Sequence, residues 1–301
     1  MRKGIAIPAA VVSGAVLLAF LPATPEAPAG DARAATLRIG LVNTLFRDAP
    51  EPLIQVMARP FKSLMEDQAG VVGEVVVGGD AAELAVKLKD DKVQLGVFQG
   101  FEFAWARLKA PDLKPLMIAV NQQSFARAVL VVRQDSKATD VADLKGKAFA
   151  LPRLVREHAR IFVERRCVEP GVPLEKWFGK VAAPTNSEEA LDELAEGRVQ
   201  ATVVDDVELE AYRKTCPKTA ARLRVLQESE VFPCPVVAYH QSGTISEDTL
   251  RRLRTGMIAA KGTPRGRNLL NLCRISGFEA VPADYEQALT DILKVYPPPQ
   301  R

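Results

Sequence analysis

The sequence lacks the short motifs that mark hydrolases and metal sites. It contains no G-x-S-x-G segment, no H-E-x-x-H segment and no C-x-x-C pair, and its two histidines, His158 and His240, stand far apart. A serine nucleophile elbow and a zinc site therefore have no support in the sequence. These absences favour a binding protein that needs no metal and no cofactor. An exported enzyme remains an alternative, because one fold can host several activities.

The chain also lacks an excess of charge of either sign. Its 40 Lys and Arg residues face 37 Asp and Glu residues, and the net charge is +3. Three basic and two acidic residues precede Ala35, so the chain from Ala35 onward carries +2. This balance argues against nucleic acid and against a membrane surface as partners. The basic run Arg251-Arg252-Leu253-Arg254 fits a solvated helix face.

Residues 1–35 have the pattern of a secretory signal peptide. Arg2 and Lys3 precede an uncharged run, and an Ala-x-Ala site ends at Ala34. We predict cleavage near Ala35 and an extracytoplasmic, periplasmic or secreted, mature chain. An uncleaved anchor is the alternative, although the apolar run barely reaches the roughly 20 residues that a membrane span requires.

Four cysteines raise the question of disulfides. An even number of cysteines in an exported chain is compatible with bridges, and four cysteines allow three pairings. Cys216 and Cys234 flank a predicted strand and are ranked first as a pair. Buried free thiols are the alternative.

Runs of β-branched residues alternate with helical stretches along the mature chain. The pattern predicts strands at 37–42, 73–79 and 113–120, a helix from Pro52 to Gln68 and a helix from Ala81 to Lys89. The middle of the chain repeats this alternation, with helices predicted from Arg156 to Cys167 and from Ser187 to Glu196. We therefore predict an α/β protein with parallel sheets.

The two α/β sections predict two lobes joined by two crossover strands. The crossover candidates are ARAVLVVRQDS and PCPVVAYHQS. They divide the mature chain into a first lobe of residues 36–130 and 239–301 and a second lobe of residues 131–238. Ligands of open α/β sheets bind beyond the carboxyl ends of the strands, so we expect the site in the cleft between the lobes.

Several segments resemble the phosphate/phosphite/phosphonate-type substrate-binding proteins of ABC transporters, which have the type II periplasmic-binding-protein fold. The segments are LRIGLV, VQLGVFQGFEFAWA, VVRQDSKATDVADLKGKAFALP and NSEEALDELAEGRVQATVVDD. Together they cover nearly the whole mature chain. The resemblance implies a two-lobed α/β fold with an interlobe cleft, a small-molecule ligand and a membrane ABC permease as partner.

The chain departs from this family where the anion is held. Family members follow the strand after DLKGK with Asp-Pro-x-Ser-Thr-Ser-Gly, whose hydroxyls and helix N-terminus hold an oxyanion. Here Leu154, Val155 and Arg156 replace the Ser-Thr-Ser triplet, and Phe103 stands where the family has a tyrosine. Arg153 or Arg156 could hold an anion instead, or they are solvated residues at a helix start.

Strand ends supply the candidate ligand-binding residues. These are Asn43, Thr44, Phe46, Gln99, Gly100, Glu102, Phe103, Gln122, Arg153, Arg156, Thr185, Asn186 and Asp205. Asn186 or Ser187 could instead cap a helix, and Asp205 could be an acid in a first helical turn, where the helix dipole stabilises a negative charge. His158 fits a surface or capping position, and His240 fits either the core or the hinge.

The combined prediction is an extracytoplasmic solute-binding protein that binds a small ligand by lobe closure and serves an ABC transporter as a monomer. A phosphonate-like anion is one hypothesis for the ligand, but the lost hydroxyls predict weak binding of simple phosphonates. A ligand-sensing module for a membrane signalling partner is the alternative. A diffusible binder fits the sequence slightly better, because no second domain follows the predicted lobes.

Overall fold

The computed structural model describes residues 36–47 and 50–299. The predicted signal peptide, residues 1–35, lies outside the described residues. Among the helices of the described part, none combines the length and apolar character needed to cross a bilayer.

The first lobe is built on a six-stranded sheet. Its spatial order is β13 (Gly277–Glu279), β4 (Leu113–Val120), β12 (Val236–His240), β3 (Leu95–Phe98), β1 (Leu37–Val42) and β2 (Gly73–Gly79). Strand β1 runs parallel to β2 and β3. Strand β12 runs antiparallel to β3 and β4, and β13 runs antiparallel to β4.

The second lobe is built on a five-stranded sheet. Its spatial order is β10 (Leu223–Glu228), β6 (Ala128–Arg133), β9 (Ala201–Asp205), β7 (Ala148–Ala150) and β8 (Lys180–Ala182). Strand β7 runs parallel to β8 and β9, whereas β6 runs antiparallel to β9 and β10. Between the sheets, β5 (Phe125–Ala126) pairs with β11 (Phe232–Pro233).

The prediction of parallel sheets is wrong for part of each sheet. Strands β6 and β12 each follow directly on a crossing from the other lobe, and both are antiparallel to their neighbours. A strand that arrives across the hinge enters at the cleft edge of its new sheet. It must therefore run opposite to strands whose carboxyl ends point toward the cleft. The predicted lobe boundaries, after residues 130 and 238, fall inside these two strands.

Helices cover both sheets in the described part of the chain. They are α1 (Glu51–Met57), α2 (Arg59–Ala69), α3 (Ala81–Lys89), α4 (Gly100–Lys109), α5 (Glu157–Phe162), α6 (Leu174–Trp177), α7 (Ser187–Ala195), α8 (Asp206–Thr215), α9 (Pro217–Ala220), α10 (Glu247–Ala259), α11 (Pro264–Leu272) and α12 (Tyr285–Val295). Single 3₁₀ turns occupy Asn43–Phe46, Ala142–Leu144 and Ala260–Gly262, and Val163–Cys167 is π-helical.

Local sequence signals explain where several helices begin and end. Asp80 accepts hydrogen bonds from the first turn of α3, and Glu83 completes a capping box. The single helix predicted from Pro52 to Gln68 is instead two helices that meet at Ala58, with Pro60 in the first turn of α2. Proline has no amide hydrogen, so it fits a first turn but interrupts a helix interior.

A cluster of buried side chains continues from one lobe into the other at the hinge. Phe232 of β11 is 1% exposed. Its ring centroid lies 6.0 Å from that of Phe101 in the first lobe and 5.5 Å from that of His158 in the second. The Tyr296 ring, after α12, lies 4.8 Å away. The hinge therefore contributes to the core and places His158 in a fixed position.

The four cysteines are free thiols, so the predicted bridge between Cys216 and Cys234 is wrong. Cys216 lies at the end of α8 against the core of the second sheet. Cys234 lies at the second crossing, where its thiol contacts the Gln123 carbonyl at 3.4 Å. The two residues belong to different buried clusters, although they are close in sequence.

Candidate ligand-binding cleft

A cleft of about 590 Å³ lies at the carboxyl ends of the parallel strands and is lined by residues of both lobes. Six of the predicted site residues line it. They are Thr44, Phe46, Gln99, Arg153, Arg156 and Asp205. The first three lie just after strands of the first sheet. Arg153 and Arg156 come after β7 of the second sheet, and Asp205 is the last residue of β9.

Five predicted site residues of the first lobe lie outside this lining, and Glu102 is one of them. Asn43 and Gln122 are exposed, and Gln122 has a φ of 70°. Phe103 is fully buried in the core, where its ring packs against Phe98. Gly100 begins α4 and lies so close to the Pro233 carbonyl that no side chain fits there.

Thr185 and Asn186 also lie outside the cleft lining. The Thr185 amide donates to Glu189, and the Asn186 side chain accepts from the Glu189 amide at 2.9 Å. Asn186 is therefore the N-cap of α7, the alternative that the sequence left open.

Glu102 lies behind the cleft wall and is 3% exposed. The Thr44 hydroxyl donates to Glu102 Oε2 at 2.6 Å. Burial raises the pKa of Glu102 to about 7, and the hydrogen bond from Thr44 offsets only part of this effect. The hydroxyl hydrogen of Thr44 is thus engaged by Glu102 rather than directed toward a ligand.

Asp205, His158 and Arg156 meet at the floor of the cleft. Asp205 is the N-cap of α8 and accepts from the Val207 amide at 2.9 Å. His158 Nε2 lies 3.2 Å and Arg156 Nε lies 3.6 Å from Asp205 Oδ2. Burial alone would raise the pKa of Asp205. The close contacts of His158 and Arg156 outweigh burial and lower the pKa of Asp205.

Two nitrogens at this floor are buried and lack a well-formed hydrogen bond. Arg156 Nε and His158 Nε2 have no partner of suitable geometry among the described residues. Arg156 Nη2 donates to the Arg274 carbonyl of the first lobe at 3.0 Å. The prediction that His158 is a surface or capping residue is wrong, because it is only 8% exposed. Buried polar groups normally have partners, so this pair of nitrogens is suited to a ligand acceptor.

The rest of the lining is largely apolar, and the sequence patterns did not indicate it. Phe61 and Phe278 place their ring centroids 6.2 Å apart in the first lobe. Leu154 of the second lobe and Leu272, the last residue of α11, add aliphatic side chains.

Further lining residues connect the lobes across the cleft. Arg47 forms an ion pair with Glu157, and its Nε donates to Glu157 Oε2 at 3.1 Å. Arg274 Nη1 donates to the Leu154 carbonyl at 3.2 Å, and its Nη2 lies 3.8 Å from Glu208. Sequence patterns gave no signal for Arg47 or Arg274, because both stand in loops and contact residues more than 60 positions away.

The described residues contain no group of three or more His, Cys, Asp and Glu side chains placed to hold a metal ion. Asp205, His158 and Arg156 can instead bind a polar group of a ligand through hydrogen bonds and charge.

Solved structures with the same two-lobed fold include three bacterial proteins. One is a Xanthomonas citri protein bound to ATP, at 14% identity and a TM-score of 0.56, covering 85% of this chain and 95% of that chain. A second is a binding protein component of an ABC phosphonate transporter from Pseudomonas aeruginosa, at 17% identity and a TM-score of 0.52, covering 85% of each chain. The third is PhnD1 from Prochlorococcus marinus in complex with methylphosphonate, at 15% identity and a TM-score of 0.51, covering 86% of this chain and 97% of that chain.

These similarities confirm the predicted two-lobed α/β fold. No curated protein matches the sequence. Residues 48–285 match the family model of the phosphonate-type periplasmic substrate-binding proteins of ABC transporters. The match covers most of the chain, and it confirms the resemblance drawn from the sequence. The chain belongs to this family of periplasmic binding proteins, whose members bind a small molecule for an ABC transporter.

Proposed function

We propose that this protein binds a small organic ligand with an anionic head in its interlobe cleft and presents the ligand to the permease of an ABC transporter. It acts outside the cytoplasm as a monomer after cleavage of residues 1–35. The first lobe comprises about residues 36–130 and 239–301 and the second about residues 131–238, with both boundaries inside the crossing strands β6 and β12. No bond in the ligand is made or broken, and no nucleic acid is a partner.

One observation carries this proposal: Arg156 Nε and His158 Nε2 are buried at the cleft floor without well-formed hydrogen bonds. Nitrogen donors in such a position gain most from a charged acceptor, since hydrogen bonds to charged groups contribute about 1.5–3 kcal/mol each. Asp205 lies beside both nitrogens and keeps them close together.

Ligand binding works by closure of the lobes. The cleft wall comes from both lobes, and contacts such as that of Arg274 with Leu154 exist only while the lobes are close. A ligand that contacts both lobes favours the closed state by its difference in affinity for the two states.

Simple phosphonates and phosphite bind weakly. Leu154 and Val155 cannot donate through their side chains, and Phe103 has no hydroxyl and lies in the core. Only Arg156 and His158, both beside Asp205, replace the set of neutral donors that would otherwise surround an oxyanion.

A thermal-shift screen of the mature protein tests the function. The probes are phosphate, phosphite, methylphosphonate, amino acids and organic carboxylates. A ligand present at 100 times its Kd stabilises the folded state by about 2.7 kcal/mol, which is readily measured. If none of these compounds shifts the melting temperature at millimolar concentration, the proposed function is wrong.

Two arginine variants separate the cleft from general electrostatics. Arg156→Ala should weaken the binding of any anion found by the screen at least tenfold, because it removes a charge at the cleft floor. Arg251→Ala removes the same charge from the exposed face of α10 and should leave the affinity unchanged. Equal effects of the two variants would place the anion elsewhere.

A further inference from the structure

Three of the nine large apolar side chains that are exposed in the described part of the chain line the cleft. Met57, Leu154 and Leu272 are 46%, 48% and 68% exposed, and all three line the cleft. Single exposed leucines are ordinary on a protein surface, but a group of them around one cavity marks a binding surface. Two of them come from the first lobe and one from the second.

Aromatic rings continue this apolar surface into the cleft. Phe46, Phe61 and Phe278 line it from the first lobe, and Phe125 lines it from the hinge strand β5. The Phe61 and Phe278 rings are tilted by 50° at a centroid distance of 6.2 Å. Phe278 is buried behind Phe61, whereas the half-buried Phe46, Phe61 and Phe125 offer ring surface to a flat or branched apolar group.

The size of the cleft also exceeds what a compact oxyanion needs. Its volume is about 590 Å³. Cavities of roughly 300–1,000 Å³ usually enclose most of a drug-sized ligand, with mostly apolar walls and a few polar groups that fix its orientation. A one-carbon phosphonate would leave most of the apolar wall in contact with water.

The charged residues at the cleft floor suit a ligand whose polar head carries a single negative charge. The positive charge of Arg156 is offset by Asp205, 3.6 Å away. Three other lining arginines have acidic neighbours: Arg47 pairs with Glu157, Arg160 lies 3.9 Å from Glu164, and Arg274 lies 3.8 Å from Glu208. The Arg153 side chain donates to the Ala183 carbonyl instead. A dianion placed beside Asp205 would meet too little positive charge, since like charges repel strongly where water is excluded.

We infer that the ligand is an amphipathic organic monoanion: a carboxylate whose charged end meets Arg156 and His158 and whose ring-containing apolar body packs on the phenylalanines and leucines of the cleft. This inference rests on the proposed function and names its substrate class. Burying an apolar side chain contributes about 1.5–3 kcal/mol. Burial of the ligand's apolar body therefore supplies affinity that the family's serine, threonine and tyrosine hydroxyls, absent here, would otherwise provide.

Calorimetry with the purified mature protein tests the inference. The probes are phenylacetate, 3-phenylpropionate, phenylacetamide, acetate and methylphosphonate. Each aryl carboxylate should bind at least tenfold more tightly than acetate, which lacks the body, and than phenylacetamide, which lacks the charge. Methylphosphonate should bind more weakly than both aryl carboxylates.

Leucine variants locate the apolar body. Leu154→Ser and Leu272→Ser should each weaken aryl carboxylate binding about fivefold to tenfold and leave acetate unaffected. Leu108→Ser is the matched control, because Leu108 is 56% exposed on α4 and does not line the cleft. It should change no affinity.

The possible failures are distinguishable. Methylphosphonate binding more tightly than the aryl carboxylates, or full affinity for them in both cleft leucine variants, would overturn the inferred ligand class and leave the proposed binding function intact. If neither the carboxylates nor methylphosphonate, phosphate or phosphite binds in an Arg156-dependent way, both proposals are wrong.

Discussion

Arg47 of the first lobe and Glu157 of the second lobe form an ion pair across the cleft. Arg47 follows the 3₁₀ turn after β1, and Glu157 is the first residue of α5. The Glu157 side chain is 9% exposed and that of Arg47 is 41% exposed, so water screens this pair only in part. A contact between lobes can form only when they are close, and it therefore stabilises the closed arrangement.

Glu157→Gln should shift the unliganded protein toward an open form. Ion pairs of this exposure contribute up to about 1 kcal/mol, which corresponds to about a fivefold change in the open-to-closed ratio. Small-angle X-ray scattering should report a larger radius of gyration for the variant. Asp248→Asn, which breaks ion pairs within α10, is the control and should leave the radius unchanged. A radius unaffected by Glu157→Gln would show that the pair does not hold the lobes together.

Glu102 should make the folded protein less stable as the pH rises from about 4.5 to about 7. Burial raises its folded-state pKa to about 7 from the ordinary value of 4.5. In this range the unfolded chain loses the proton while the folded protein keeps it, so the free energy of unfolding falls with increasing pH. The total loss is about 3 kcal/mol and is complete above the folded-state pKa.

Urea unfolding of the wild type and Glu102→Gln at pH 5 and pH 8 measures this effect. The variant keeps an acceptor for Thr44 and cannot ionise, so it should match the wild type at pH 5 and exceed it at pH 8. Glu74→Gln, at an exposed position on β2, is the control and should follow the wild type at both values. Parallel pH profiles for wild type and Glu102→Gln would contradict the assignment.

Gly100→Ala should destabilise the fold through the hinge. A Cβ atom at this position would lie 2.5 Å from the Pro233 carbonyl carbon and 2.9 Å from the Cys234 oxygen. Both are backbone atoms of the second crossing, which cannot move aside like a flexible side chain. We expect a loss of about 3 kcal/mol in thermal or urea unfolding.

Gly262→Ala is the matched control, because an added Cβ there meets no atom within 4 Å. It should change the free energy of unfolding by less than about 0.5 kcal/mol. Similar stabilities of Gly100→Ala and Gly262→Ala would mean that the Pro233 backbone does not pack tightly against position 100.

The thiols should be free yet slow to react. Burial raises the pKa of Cys167 and of Cys234 to about 12 and that of Cys273 to about 11. At pH 8 roughly one in a thousand or fewer of these thiols is the reactive thiolate. A thiol reagent should therefore titrate four groups in the denatured, unreduced protein and at most one rapidly in the native protein. Two groups in the denatured protein would instead indicate a disulfide.

Local patterns in the sequence were sufficient for many elements of the fold. Strand β1 and helix α3 lie where they were predicted, because their apolar spacing and caps depend only on neighbouring residues. Strand direction was not predictable in the same way, since it depends on where the chain enters each sheet. The antiparallel β6 and β12 follow from the two crossings, which no local pattern encodes.

Only part of the site was predicted, because some of its residues are positioned by contacts that are distant in sequence. Strand ends correctly located Arg156 and Asp205 at the cleft, because topology places all these ends together. His158 was missed, since its burial depends on Phe232, 74 positions along the chain but 5.5 Å away in the structure. Arg274 was missed because its partners belong to the opposite lobe.

The short ladder between β5 and β11 has a mechanical consequence. Phe125 pairs with Pro233 and Ala126 with Phe232, so the two crossings are tied side by side. Paired strands resist sliding along one another, so the lobes can swing about the two crossings but resist shear. The width of a bound ligand then determines the angle between the two lobes. Any partner that touches both lobes could recognise an occupied protein by that angle alone, without contacting the ligand.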